Sequence, residues 1–254
     1  ADYRISFPLD RSGKNVVVIM LDRAITDFFP YMMKEKPELR EKFAGFTYYP
    51  NTISYGNYTM VGSTGIFGGY EYIPAESDRR DESITCKRNE SLRIMPDLFD
   101  DNGFDVTVCD PPYAGMQFLP DLEIYSDHPS IRTFITKDRV AEGYNTEANN
   151  QLLYRNFFAY SLFRTSPVCL HTTVYNMGRY NHSSSSRSVQ TVENLYRANG
   201  GFDGGSRYFT GAYSVLRNFT EMTDITDSGK NTFMMISNDT THDVVMLQEP
   251  EYEP

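Results

Sequence analysis

An aspartate, a threonine and a histidine, each at the end or mouth of a regular element, are the residues of this 254-residue chain best placed for chemistry. Asp22 closes Asn15-Val-Val-Val-Ile-Met-Leu21, a continuous apolar, β-branched run with the pattern of a strand buried on both faces of a parallel sheet. A carboxylate there sits on the carboxyl rim of the sheet, where open α/β folds bind ligands. Thr59 stands among glycines and hydroxyls in Gly56-Asn-Tyr-Thr-Met-Val-Gly-Ser-Thr-Gly-Ile-Phe67, where a helix is expected to begin. Free N–H groups and the positive end of the helix dipole favour a phosphate or sulfate oxygen at that position. A threonine hydroxyl is a poor nucleophile by itself, so the pair implies a divalent cation, held by Asp22, that activates Thr59. Asn57 has an amide that suits a phosphoryl oxygen, and His242 follows a second short apolar strand, Thr232-Phe-Met-Met-Ile-Ser237. Each also has a plain structural reading: Thr59 as a helix cap, Asn57 as a turn residue beside Gly56, His242 as a loop histidine bonded to a neighbour.

The elements that must position them read as an alternation of strands and helices. Ala1 to Lys14, polar with Pro8 and Gly13, reads as a linker, and residues 15–254 as one catalytic-type domain. Ala24 to Phe43 carries a helical pattern interrupted around Pro30 and Pro37. Phe46 to Ile53 reads as extended, and Tyr70 to Asn89, charged and aperiodic, as a surface loop. Ser91 to Asp101 is a helix with a glycine exit at Gly103, leading into the strand Phe104–Cys109, which Pro111 and Pro112 stop. Asn145 to Phe163 is a long amphipathic helix, and Ser206 to Met222 is helical again. His182 to Ser188 and Asn199 to Gly205 have loop composition.

The Asn-Val-Val-Val-Ile-Met-Leu-Asp22 strand, the following helix, and Gly56-Asn-Tyr-Thr-Met-Val-Gly-Ser-Thr-Gly-Ile-Phe67 together resemble the alkaline phosphatase and sulfatase superfamily. The likeness is greatest to its lipoteichoic acid synthase and phosphoethanolamine transferase branch. The resemblance implies a three-layer α/β domain of the alkaline phosphatase type with a mostly parallel central sheet. It also implies zinc or manganese held by Asp22 and Thr59, nucleophilic attack by Thr59, and substrate contact by His242 and Asn57. Donors in that branch are lipid-linked or glycan phosphate esters, and its domains sit on the extracytoplasmic face of a bacterial membrane behind a helical anchor. The sulfatase signature of Cys or Ser in C/S-x-P-x-R is absent: Cys86, Cys109 and Cys169 are followed by other residues, which favours phosphorus chemistry. The family's Asp-His metal pair is expected after a later strand, beyond Pro254, so the chain covers the first part of the family domain, with the sheet incomplete at its C-terminus. On its own it is expected to bind metal weakly and turn over little. Asp127-His128 precedes the His242 segment and is followed by Pro129, the wrong order for that pair, and reads as a chance match. Rival readings are a sulfatase-like or phosphodiesterase hydrolase, and a noncatalytic extracytoplasmic domain that binds glycans or proteins through its tyrosine-rich surface.

Composition narrows the classes. With 24 basic and 34 acidic residues the formal net charge is −10, so the chain lacks the basic stripe a nucleic acid or an anionic lipid surface requires. Three cysteines allow at most one disulfide. The longest apolar run is far too short to cross a bilayer, and the chain reads as a soluble piece. The 19 tyrosines and 17 phenylalanines, without tryptophan, suit a site for sugar or glycerol groups and equally suit ordinary packing.

Overall fold

A computed structural model describes residues 5–136, 146–175 and 204–242. Its core is a four-stranded, wholly parallel sheet with strand order β2-β6-β3-β4. The strands are β2 (Asn15–Leu21), β3 (Asp105–Cys109), β4 (Arg132–Phe134) and β6 (Thr232–Asn238). All four therefore end on one edge. β6 is last in sequence but central in space, inserted between β2 and β3, and every one of its residues is buried.

The pleat sends alternate residues of β3 and β6 into two separate cores. Val106, Val108, Phe233 and Met235 face helices α3 (Thr59–Gly68) and α5 (Ile84–Asp101), meeting Phe67 and Leu92. Phe99 stacks on Phe233 with ring centroids 4.2 Å apart. On the other face Cys109, Met234 and Ile236 pack with Val215 of α8 (Gly204–Arg217) and with Phe7 and Met222. Helices thus cover both faces of a parallel sheet, the three-layer α/β arrangement that the alternation of elements predicts.

Several local expectations are corrected. The stretch ending at Lys14 is no linker: β1 (Phe7–Asp10) pairs in parallel with β5 (Thr223–Thr226), and Phe7 is wholly buried. β1 leads into a knot centred on the buried Asp10. Its carboxylate accepts from the backbone and hydroxyl of Ser12 and the Gly13 amide on one oxygen. The other oxygen accepts from Thr226, Ser228 and Gly229. Burial raises this carboxyl's pKa, but the bonds from Ser228, Gly13 and Ser12 outweigh it and hold Asp10 far below the usual carboxylate range.

β2 is not buried on both faces. Among the described residues β2 pairs only with β6, at the edge of the sheet, and on its uncovered face Val17, Ile19 and Leu21 stay 41, 46 and 38 % exposed. Only Val16, Val18 and Met20 on the opposite side pack against the core. Pro37 does break the first helical stretch, separating α1 (Phe28–Glu35) from the single turn α2 (Leu39–Lys42), whereas Pro30 does not. It falls in the first turn of α1, where no intrahelical amide bond is lost. Phe46 to Ile53 joins no strand and forms no ladder.

The expected loop before residue 91 is instead a one-turn helix, α4 (Pro74–Ser77), followed by the start of α5 at Ile84. Ser83 caps α5 by accepting from the Cys86 amide, and Gly103 ends it with a left-handed φ of 77°. Helices α6 (Thr146–Thr165) and α7 (His171–Tyr175) follow β4. α6 bears exposed Tyr154, Phe157 and Phe158, which are not laid on the core. The loop expected at 182–188 lies outside the described residues, while Gly204 and Gly205 begin α8.

Candidate functional site

Because the sheet is parallel, the residues that follow its strands converge on the carboxyl edge. Asp22 continues β2 by one bond, its amide donating to the Asn238 carbonyl at 3.0 Å. Thr241 returns from beyond β6 to donate its hydroxyl to the Asp22 carbonyl. Asp22 is thus fixed through its backbone, and its side chain turns to Thr59, 37 residues away in sequence. The Thr59 hydroxyl donates to both carboxylate oxygens, at 2.8 Å to Oδ2 and 3.1 Å to Oδ1.

This contact decides against the cap reading of Thr59. The N-cap of α3 is Tyr58, in extended conformation and without a side-chain bond to the helix, and Thr59 is the first helical residue. Its hydroxyl is committed to a carboxylate on another element, and in the turn behind it the Val61 and Gly62 amides donate to the Tyr58 carbonyl at 2.9 and 2.8 Å. Glycines explain the dense small-residue pattern around it. A Cβ on Gly56 would stand 2.7 Å from Val61, and one on Gly62 would stand 2.5 Å from the Ser54 hydroxyl. Only without side chains can the 54–56 turn press against the start of α3 and aim Thr59 at β2.

His242 comes to the same place. Its amide donates to the Asp239 carbonyl at 2.9 Å, its own carbonyl accepts from Arg23 at 3.1 Å, and its Nε2 lies 4.0 Å from Asp22 Oδ2. That separation is too long for a hydrogen bond. Asn57 is not brought to the site. It is exposed in the turn before α3 and does not line the cleft.

The cleft measures about 230 Å³ and is bounded by Asp22, Thr59 and His242 on one side and by Asp110, Pro112, Tyr113 and Phe118 on the other. Met20, Ser237 and Asp239 also contribute. Asp110 is the residue that sequence reasoning missed. It follows β3 as Asp22 follows β2, the same signal of an acid closing an apolar strand, hidden there behind two prolines read only as a stop. It is 3 % exposed and left-handed, with φ 48°, and accepts from both the amide and the hydroxyl of Thr136, which ties the ends of β3 and β4 together.

Three carboxylates border the cleft, and among the described residues no lysine or arginine lines it. A phosphoryl group entering would meet negative charge unless a cation intervenes. The oxygen-rich donor set of Asp22 and Thr59 fits a hard or borderline divalent ion, with His242 as a neighbouring nitrogen. Among the described residues no three of His, Cys, Asp and Glu are grouped closely enough to hold a metal ion.

The other histidines stand elsewhere. His128 precedes β4, on the amino edge of the sheet, where its Nδ1 is 3.1 Å from Asp100, and Asp127 pairs with Arg93 at 2.7 Å. Their sequence adjacency is accordingly not a metal pair at this site. His171 starts α7 with Nε2 3.0 Å from the Ser166 carbonyl, and His182 lies outside the described residues. The cysteines Cys86, Cys109 and Cys169 are free. No helix among the described residues is long and apolar enough to cross a membrane. Comparison of the chain with protein-family models, with curated proteins and with solved structures found no match.

Proposed function

We propose that this cleft transfers or hydrolyses a phosphate ester, of the phosphoglycerol or phosphoethanolamine type, with Thr59 as the nucleophile. The observation that carries the reading is the hydrogen bond from the Thr59 hydroxyl to both oxygens of Asp22 at the carboxyl edge of a parallel sheet. Nucleophile and base are within bonding reach, and the base is oriented by its own backbone bonds.

In the first half-reaction the Thr59 oxygen attacks phosphorus as its proton passes to the Asp22 carboxylate. A new P–O bond forms, the ester bond to the leaving alcohol breaks, and His242, at the cleft mouth, gives that alkoxide its proton. In the second half an acceptor alcohol or water attacks phosphorus, its proton passes to His242, the P–O bond to Thr59 breaks, and Asp22 returns the proton to the Thr59 oxygen. The positive end of the α3 dipole, at Thr59, would favour the phosphoryl oxygens. A divalent cation, zinc or manganese, held by Asp22 and Thr59 would supply neutralising charge and a lowered hydroxyl pKa. The resemblance of the sequence adds the rest of the proposal: an extracytoplasmic location, a membrane-anchored parent and a lipid-linked or glycan donor.

The test is twofold. Calorimetric titration with Mn²⁺ or Zn²⁺ should show weak binding to the wild-type chain that Asp22→Asn abolishes. Slow nitrophenolate release from bis(4-nitrophenyl) phosphate should depend on Thr59. Metal binding indifferent to Asp22, or release indifferent to Thr59, ends the proposal. One observation favours a second reading, binding without catalysis: Phe46, Tyr49, Ile53, Tyr55 and Tyr58 form a well-exposed apolar stretch with no charged residue between them. It predicts glycan or protein binding that survives Thr59→Val.

A further inference from the structure

Arg88, on α5, is among the largest fully buried side chains of the molecule, at 1 % exposure, and the reaction just described does not use it. A buried guanidinium ordinarily has a carboxylate partner. Among the described residues this one has none: it donates to the Met60 carbonyl, the Ser63 hydroxyl at 3.0 Å, the Pro112 carbonyl at 2.8 Å and the Tyr113 carbonyl at 3.4 Å, and lies over the Tyr113 ring. Burial lowers its pKa to about 10, which leaves it charged at neutral pH.

The partners fall into two groups, and Arg88 bonds both. Met60 lies in the first turn of α3, which begins with Thr59, and Ser63 opens the second. Pro112 and Tyr113 are on the opposite wall of the cleft. That wall is conformationally costly: Asp110, Tyr113 and Met116 all hold positive φ, a region that non-glycine residues occupy only when their surroundings impose it. The Asn89 side chain, one residue along α5, accepts the Gly115 amide of the same wall at 2.9 Å.

We propose that Arg88 is a positioning residue of this site: its fork ties the helix turn that presents Thr59 to the left-handed wall across the cleft, and so sets the distance between them. The proposal rests on the reading of Thr59 as nucleophile only for what is positioned; the mechanical link stands on the geometry alone. A planar fork is required because the acceptors diverge, and a lysine ammonium cannot meet carbonyls from both elements at once.

Hydrogen exchange on the full chain tests this. In Arg88→Lys, amides of residues 60–63 and of 113–116 should exchange about tenfold faster together, while β3 and the second half of α5 keep wild-type protection. If Arg88→Lys does not fold, Ser63→Ala, which removes one acceptor, should give a smaller rise in the same two segments. A rise in one segment only, a uniform rise, or none overturns the proposal. Thr59→Val should loosen only residues 60–63, beside its own lost bond, and leave 113–116 protected, so the link through Arg88 is read independently of the nucleophile. The rate of Thr59 labelling by a saturating phosphodiester should fall about 100-fold in Arg88→Lys, with the half-saturating concentration little changed, as expected for misplacement of a nucleophile rather than loss of a binding group. Equal labelling rates in the two proteins also overturn it.

Discussion

Replacing Thr59 by valine keeps the shape of the side chain and removes the hydroxyl that bonds the Asp22 carboxylate. Its proton is shared between oxygens at 2.8 and 3.1 Å, so the two contacts count as a single charge-assisted bond. Bonds to charged groups contribute about 1.5–3 kcal/mol. The Asp22 side chain is 14 % accessible, which lets water replace part of the interaction and places the expected loss at the low end, about 1.5 kcal/mol. Helix propensity adds at most a few tenths of a kcal/mol at the first position. Asp22→Asn alone is an ambiguous probe, because it also relieves repulsion among the carboxylates of the cleft. The double-mutant cycle removes that ambiguity. An asparagine oxygen still accepts a neutral bond, so the two changes should be non-additive by about 1 kcal/mol. Urea unfolding of the four proteins, followed by circular dichroism, gives the cycle, and the valine variant should melt about 4 °C lower for a chain of this size. Additivity within about 0.3 kcal/mol, together with a wild-type melting temperature for Thr59→Val, would show that the hydroxyl does not bond Asp22 in solution.

Asp10 gives a prediction in pH. Its folded pKa lies below the unfolded value of about 3.9, so its contribution is full above that value and is lost as pH falls through and below it. Asp10→Asn should lower stability at pH 7 and flatten the fall in stability between about pH 4 and pH 2, read from melts across that range. His128 has the opposite sign. The bond to Asp100 raises its pKa, against burial and with help from Asp97 and Asp127, so its contribution is present below about pH 6.5 and lost as pH rises past the folded value. His128→Gln should remove that slope without altering Thr59 chemistry, because residue 128 is on the amino edge of the sheet. The exposed face of β2 is tested by contrast with β6. Ile236→Ala, in a wholly buried strand, should cost about 2–5 kcal/mol. Ile19→Thr, at a residue 46 % exposed, should cost about 1 kcal/mol or less, by chemical denaturation.

The layout of the site was legible because a parallel sheet turns a one-dimensional signal into a shared edge. An apolar run ending in Asp22 and another ending near His242 must finish on the same side once both strands are parallel, and the small residues around Thr59 announce a close approach. Asp110 carried the same signal but was masked by Pro111 and Pro112. The burial of β2 was misjudged because apolar composition reports what a strand can bury, not how many neighbours it has. That number depends on β6, more than 200 residues later, entering between β2 and β3. Phe7 was lost among polar neighbours since its burial follows from pairing with β5 at the far end of the chain. Arg88 looked like one more charge in a polar stretch. Only the approach of α3 and the 112–113 wall to α5 shows that its neighbours are carbonyls.

The central claim, that the Thr59 oxygen attacks phosphorus, is tested most directly by peptide mass spectrometry of the chain after prolonged incubation with Mn²⁺ and bis(4-nitrophenyl) phosphate. A nitrophenyl-phosphoryl mass increment on Thr59 that is lost in Asp22→Asn is the predicted result. The increment on another residue, or on Thr59 at the same rate when Asp22 is asparagine, would contradict it.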